Sequence, residues 1–368
     1  MPTRATTSAA LPARLDTAST RILRLAFGTA LSLWISQAVG WSISYIAPVI
    51  TMFLLALPLP RPKPKFFLLV VVALTLSVYG SFLFLPLLLH QQLVGLLLVS
   101  LALFHAFYFA ARGGNPIVAT LITMGLALTV AVGTVSVDAL LGVASGLVFG
   151  AAVGAAVAIF SHLVMPDRPD GQLAQAGAGE STETSTGIDL AQARHSAMRS
   201  LAVVFPVLLW LLLSGASAAN AAVMIKVSAM GQEVSQRSTR DAAKSLIVST
   251  LAGGLAAVVA WHVLSIWPSL TVYTLLIALA GLVFGRRIFA GQGLHEHAST
   301  WTYAFLTMIV VLAPAVLDSD YGSAAGARFY DRLFMFGWAT LYAVIAVYVF
   351  DAFWGRPQSA GRKNAVVE

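Results

Sequence analysis

A chain of 368 residues that is 58% apolar and only 10% charged carries more hydrophobic surface than a water-soluble core needs, which excludes a soluble domain and makes lipid the solvent to consider. Its net charge of +7 does not indicate nucleic acid, because the cations are scattered over short loops rather than gathered on one face. Cysteine is absent, which removes disulfides, thiolate nucleophiles and sulfur-ligated metals.

Residues 1–21 form a polar tail with Arg4, Arg14 and Asp16 ahead of the first apolar run. A cleaved signal peptide is the competing reading, but the run at 22–39 has the length of a span, and removing it leaves an odd helix count. Apolar runs then follow at 44–58, 66–84, 93–110, 116–132 and 137–165, and again at 197–214, 218–230, 246–264, 267–284, 302–317 and 329–354. Read as spans, these predict an all-α membrane protein of about twelve transmembrane helices. Pro48 and Pro206 fall inside spans, and each predicts a kink or an unwound stretch.

The distribution of charge orients the chain. Arg61, Lys63, Lys65, Arg112, Lys226, Arg237, Arg240, Lys244, Arg286 and Arg287 lie in or beside alternate loops, and only Arg328 and Arg332 fall on the other side. Both termini are therefore expected in the cytoplasm. Residues 167–194, rich in Gly, Ala, Ser, Thr and Gln, read as a flexible cytoplasmic linker.

That linker separates two membrane units, 22–166 and 195–355, before a tail at 356–368. The units look like copies: Ile122-Thr123-Met124 answers Leu306-Thr307-Met308, Arg112 answers Arg286 and Arg287, and Asp138 answers Asp331. With six spans each, both enter from the same side, which predicts parallel repeats about an axis along the membrane normal.

Ionisable groups at membrane depth are the sharpest functional signal. His105, mid-span among Leu103, Phe104, Phe107 and Phe109, is placed to carry a proton or to be a hydrogen-bonded core residue. Lys226 either meets an organic anion or snorkels to the interface. Asp331 and Arg332 form either a local ion pair or a gate or proton-coupling acid. Arg112, Arg286 and Arg287 obey the orientation rule and also suit the rim of an anion vestibule. Gly142, Gly146, Gly150 and Gly154 recur every four residues, a stripe suited to close helix packing.

His295-Glu296-His297 resembles a metal triplet, but alternate residues in a loop do not preform a site. With no Walker motif, dinucleotide fingerprint or nucleophile–base pair, neither an enzyme nor a cofactor is expected. Energy for transport has to come from a gradient or another chain.

The opening Arg24-Leu25-Ala26, Tyr45-Ile46-Ala47-Pro48, the segment LIVSTLAGGLAA at 246–257, WTYAFLTMIVV at 301–311 and the small-residue sixth span ending at Pro166 resemble the fusaric acid resistance and aromatic acid exporter superfamily of bacterial inner-membrane proteins. The resemblance implies two six-helix bundles and efflux of small, aromatic or other, organic acids. It also implies a periplasmic membrane-fusion adaptor and an outer-membrane channel as partners. The chain departs from larger relatives in lacking a cytoplasmic domain between its halves. A passive organic-anion channel is the alternative, as is a non-transporting scaffold that docks partners through the external segment 318–327.

Overall fold

The computed structural model describes residues 16–41, 43–57, 64–133, 136–166, 190–213, 221–235, 237–290, 293–317 and 324–355. Arg61, Lys63, most of the linker, most of the external segment 318–327 and the 356–368 tail lie outside the described residues. The first part of the fold comprises α1 (Thr17–Ala38), α2 (Ile46–Ala56), α3 (Pro64–Ser81), a 3-10 turn (Phe82–Phe84), α4 (Leu85–His90), α5 (Gln92–Ala111), α6 (Pro116–Gly133) and α7 (Val137–Val164). The second comprises α8 (Leu190–Leu213), α9 (Ala221–Ser235), α10 (Thr239–Ile266), α11 (Leu270–Ile288), α12 (Ala298–Leu317) and α13 (Ala324–Trp354). A hairpin of two-residue strands, Phe289–Ala290 against Gly293–Leu294, joins α11 to α12.

Several helix starts are written in the sequence. Asp16 accepts from the Thr17 amide, Ser136 from Ala139, Ser238 from Asp241 and Ser269 from Val272, each satisfying a donor that has no partner within the first turn. Helix α8 begins at Leu190, so the last residues assigned to the linker are already helical. The proline expectations are corrected. Because α2 begins at Ile46, Pro48 sits in the first turn, where its missing N–H costs little, and α8 stays helical through Pro206, so the chain does not unwind there.

Among the described residues, seven helical stretches are long and apolar enough to cross a membrane, and two further apolar helices are shorter. The exposed surface agrees with lipid rather than water: Leu251, Leu255, Val259, Val263 and Ile266 form an outward stripe on α10, and Phe334, Trp338, Leu341 and Ile345 one on α13. A water-soluble bundle would turn such faces inward. The chain is a multi-pass α-helical membrane protein.

Four helices, α2, α6, α9 and α12, are shielded by the rest and are buried along most of their described length. The packing follows one scheme in both parts. In the first, α1 meets α2, α2 meets α7, α3 meets α6 and α7, and α5 meets α6. In the second, α8 meets α9, α9 meets α13, α10 meets α12 and α13, and α11 meets α12. The parts also interlock reciprocally, with α1 on α11 and α8 on α5, and with α6 on α9 and α2 on α12.

Only half of the α7 glycine stripe is a close approach. A Cβ on Gly150 would lie 2.7 Å from Ile46 Cγ2, and one on Gly154 2.8 Å from the Ala47 carbonyl oxygen, whereas at Gly146 the nearest atom is 3.6 Å away and at Gly142 nothing is near. Gly150→Leu is therefore expected to lower the thermal unfolding temperature of the detergent-solubilised protein by several degrees or to abolish its accumulation, a cost of about 2 kcal/mol or more for overpacking. Gly142→Ala should match the parent in both measurements.

Candidate functional site

The short helix α9 is the most polar element of the interior. Lys226 is 1% exposed, Gln232 1% and Glu233 2%, all on one 15-residue helix. Lys226 does not snorkel: its Nζ donates to Thr307 Oγ1 of α12 at 2.7 Å, and Thr307 in turn donates to the Tyr303 carbonyl at 2.7 Å. Glu233, seven residues on, lies on the same helix face two turns away and within electrostatic reach of Lys226. Its carboxylate accepts from Ser245 Oγ of α10, and Ser245 and Thr300 hydroxyls are 2.6 Å apart. An ionisable group inside a membrane protein costs about 3 kcal/mol or more unless paired or hydrated, so each of these charges needs the other and the hydroxyls around them.

Two cavities flank this pair. One, of about 570 Å³, is lined by Arg237, Asp241, Lys244, Ser245, Arg287, His295, Glu296, His297 and Thr300. It is polar and carries more cations than anions. Ser245 and Thr300 belong both to its wall and to the hydrogen-bonded chain that ends on Glu233. Arg287 is held there over the Trp301 ring, its Cζ 5.0 Å from the centroid, a cation–π contact that fixes a side chain otherwise free to sample solvent.

The other cavity, of about 250 Å³, lies where the two parts of the chain meet. Ile50, Phe53, Leu54 and Leu57 wall it from the α2 side, Val70 from α3, Thr120 and Leu121 from α6, Gln232 from α9, and Ser299, Thr302 and Tyr303 from α12. Tyr303 also lies within electrostatic reach of Glu233, so the apolar chamber and the charged pair share a wall.

The sequence candidates are distributed unevenly around this centre. Lys226 is in it, and Arg287 lines the polar cavity. Arg286 is exposed in the last turn of α11. Arg112 caps α5 at the surface, 5.5 Å over the Tyr108 ring. His105, expected at the heart of a span, is corrected to the perimeter. It lies on the exposed face of α5 with its Nδ1 2.8 Å from the Leu101 carbonyl, because α5 turns Val99, Leu103, Ala106 and Phe107 into the core and leaves position 105 on the other side. Asp331 is exposed, whereas Arg332 is buried and within electrostatic reach of Tyr45. His295 and His297 line the polar cavity, their rings 6.3 Å apart, and among the described residues no group of three His, Asp or Glu side chains is arranged to hold a metal.

Sequence reasoning missed Gln232, Glu233 and a set of buried arginines. Arg21 and Arg24 on α1 and Arg199 on α8 are almost fully buried. Arg24 donates to the Met165 carbonyl at the end of α7 at 3.2 Å. Arg199 donates to the Val234 and Arg237 carbonyls at 2.8 Å each and pairs with Asp351 at 2.8 Å. The available signal was spacing: Lys226 and Glu233 stand at i and i+7 on a short apolar segment, and one periodic face with two opposite charges implies a shared environment.

Removing one member of the charged pair should cost more than removing both. Lys226→Met alone is expected to destabilise by about 3 kcal/mol or more, because it strands the Glu233 carboxylate. The double variant Lys226→Met, Glu233→Gln should recover most of that loss. Thermal unfolding of the four proteins of the cycle in one detergent measures the coupling, and strictly additive effects would show that the two charges do not support each other.

Residues 21–165, from α1 to just past the end of α7, match a family described as a protein of unknown function, DUF2955. No curated protein and no solved structure matches the chain.

Proposed function

We propose that the chain is an inner-membrane efflux transporter for small organic acids, proton-coupled through Glu233 and Lys226. In this reading the chain crosses the bilayer twelve times as two parallel six-helix repeats, with both termini cytoplasmic. The shared pairing scheme and the reciprocal α1–α11 and α8–α5 contacts support the repeat, since a parallel duplication relates its halves by a two-fold axis and doubles every contact between them. The basic loops support the orientation. The resemblance to fusaric acid resistance and aromatic acid exporters supports the substrate class, and with it a periplasmic membrane-fusion adaptor and an outer-membrane channel as partners.

One observation carries the transport reading. Lys226 and Glu233 are buried two turns apart on α9, and Glu233 is joined through Ser245 and Thr300 to a polar cavity with more cations than anions. Structural stability does not call for such a pair, because a well-packed apolar equivalent is as stable or more so. A proton reaching Glu233 along the hydroxyls would cancel its charge and leave Lys226 unbalanced, so the charge state that the site presents to an organic acid depends on whether Glu233 is protonated. Exchange between those two states is the elementary step of proton–anion coupling.

The cation-rich lining also favours a passive anion channel, in which Arg237, Lys244 and Arg287 concentrate anions at the mouth and nothing couples them to protons. Proteoliposomes loaded with radiolabelled benzoate separate the two. A coupled exporter changes its rate of benzoate efflux when a proton gradient is imposed, and Glu233→Gln abolishes that response while benzoate exchange at equal pH continues. Flux indifferent to the gradient removes the coupling; ohmic conductance that falls on neutralising Arg287 then identifies the channel.

A further inference from the structure

We infer that the apolar cavity between the two parts binds the uncharged form of its ligand, an undissociated carboxylic acid or its primary amide, with Gln232 as the recognising group. The inference rests on the exporter reading for the identity of the ligand and on geometry for its protonation state.

The lining decides the charge. None of the residues walling the cavity is Lys, Arg, His, Asp or Glu; its polar groups are the side chains of Thr120, Gln232, Ser299, Thr302 and Tyr303. A carboxylate moved into it would lose its hydration with only neutral dipoles in return, whereas the protonated acid loses far less. At about 250 Å³ the chamber lies at the small end of ligand pockets and suits one aromatic ring with a small polar head.

Gln232 supplies the match for such a head. It is 1% exposed, and neither its Nε2 nor its Oε1 has a hydrogen-bond partner among the described residues. A buried amide left in that condition is rare. It offers a donor and an acceptor side by side, and a carboxylic acid or a primary amide offers the complementary acceptor and donor in the same plane. A carboxylate offers acceptors alone, so it satisfies Nε2 and opposes Oε1. Thr302 and Tyr303 line the wall beside Gln232, where ring substituents would lie.

Three charged groups stand close behind this wall. Glu233 follows Gln232 on α9, Lys226 lies two turns earlier, and Arg237 donates to Ser299 of the lining. Their titration would alter binding of any ligand, which makes an amide the necessary control.

The full-length protein in lipid nanodiscs, titrated with benzamide and with benzoate by ligand-detected NMR, tests the inference. Benzamide affinity should stay flat with pH. The apparent affinity for total benzoate should fall by about tenfold per pH unit above the acid's own pKa, because only the shrinking neutral fraction binds. The two should compete. Gln232→Leu should weaken both by about tenfold or more with no loss of thermal stability, since it removes an unsatisfied amide. Leu121→Trp, which fills the chamber, should abolish both.

Benzoate affinity that stays constant with pH, or benzamide that does not compete, overturns the inference. So does a folded Gln232→Leu protein that binds both probes as the parent does, and should that variant not accumulate, the parent's pH profile alone decides. The exporter reading fails separately: the predicted binding profile without benzoate flux in proteoliposomes removes transport and leaves the site, while flux that follows the anion concentration removes the site's neutral-form selectivity and leaves transport.

Discussion

The placement of Lys226 and Glu233 inside a shell of apolar helices is the constraint on which the rest of the interior depends. Two opposite charges away from water are tolerable only where partners are fixed in position, and the neighbouring helices supply those partners. Thr307 is presented to Lys226 by α12, and Ser245 is presented to Glu233 by α10. That requires α10 and α12 to lie against each other unusually closely. Gly253 permits it, because a Cβ there would stand 2.6 Å from Thr307 Cβ. The LAGGLAA run is thus tied to the charged centre through packing, one helix removed from the chemistry.

The same logic explains the buried arginines. A guanidinium has five donors in a rigid fork and stays charged, so it is costly inside the protein unless carbonyls and carboxylates surround it. Helix C-termini provide such carbonyls, with a partial negative charge from the aligned peptide dipoles. Arg199 donates to two carbonyls there, Val234 in the last turn of α9 and Arg237 just beyond it, and is neutralised by Asp351 of α13. Arg24 takes the carbonyl just past α7. The first helix of each part therefore ties down the end of another helix, which locks the packing scheme at one end of the bundle.

Membrane character was legible in the sequence, and so were most helix positions. Apolar runs such as 137–165 and 302–317 correspond to α7 and α12 within a few residues, because lipid imposes length and composition alike. The facing of side chains was not legible. His105 stands in a run with no amphipathic contrast, so nothing in the residues around it distinguishes outward from inward, and the structure turns it to the perimeter. Lys226 lay open between interface and interior for the same reason. Glu233 went unnoticed because it falls beyond the apolar run at 218–230, whereas α9 extends to Ser235. The glycine stripe was legible as a pattern, but its value differs along α7. α2 passes close by Gly150 and Gly154 and leaves Gly142 with nothing against it.

The polarity of α9 follows from its position. A helix that faces lipid needs about 20 residues to cover the hydrocarbon thickness, because any backbone left in lipid has no hydrogen-bond partner. Helix α9 faces other helices instead, with α5, α6, α8, α10, α12 and α13 packed around its described residues, so it is not held to that length. Its C-terminal end need not reach water, since Arg199 receives the Val234 carbonyl inside the protein. Release from the length requirement also releases the helix from the demand for uniform apolarity. Lys226, Gln232 and Glu233 can then occupy an interior helix packed against six others, with Gln232 in the wall of the apolar cavity and Glu233 joined through Ser245 to the polar one.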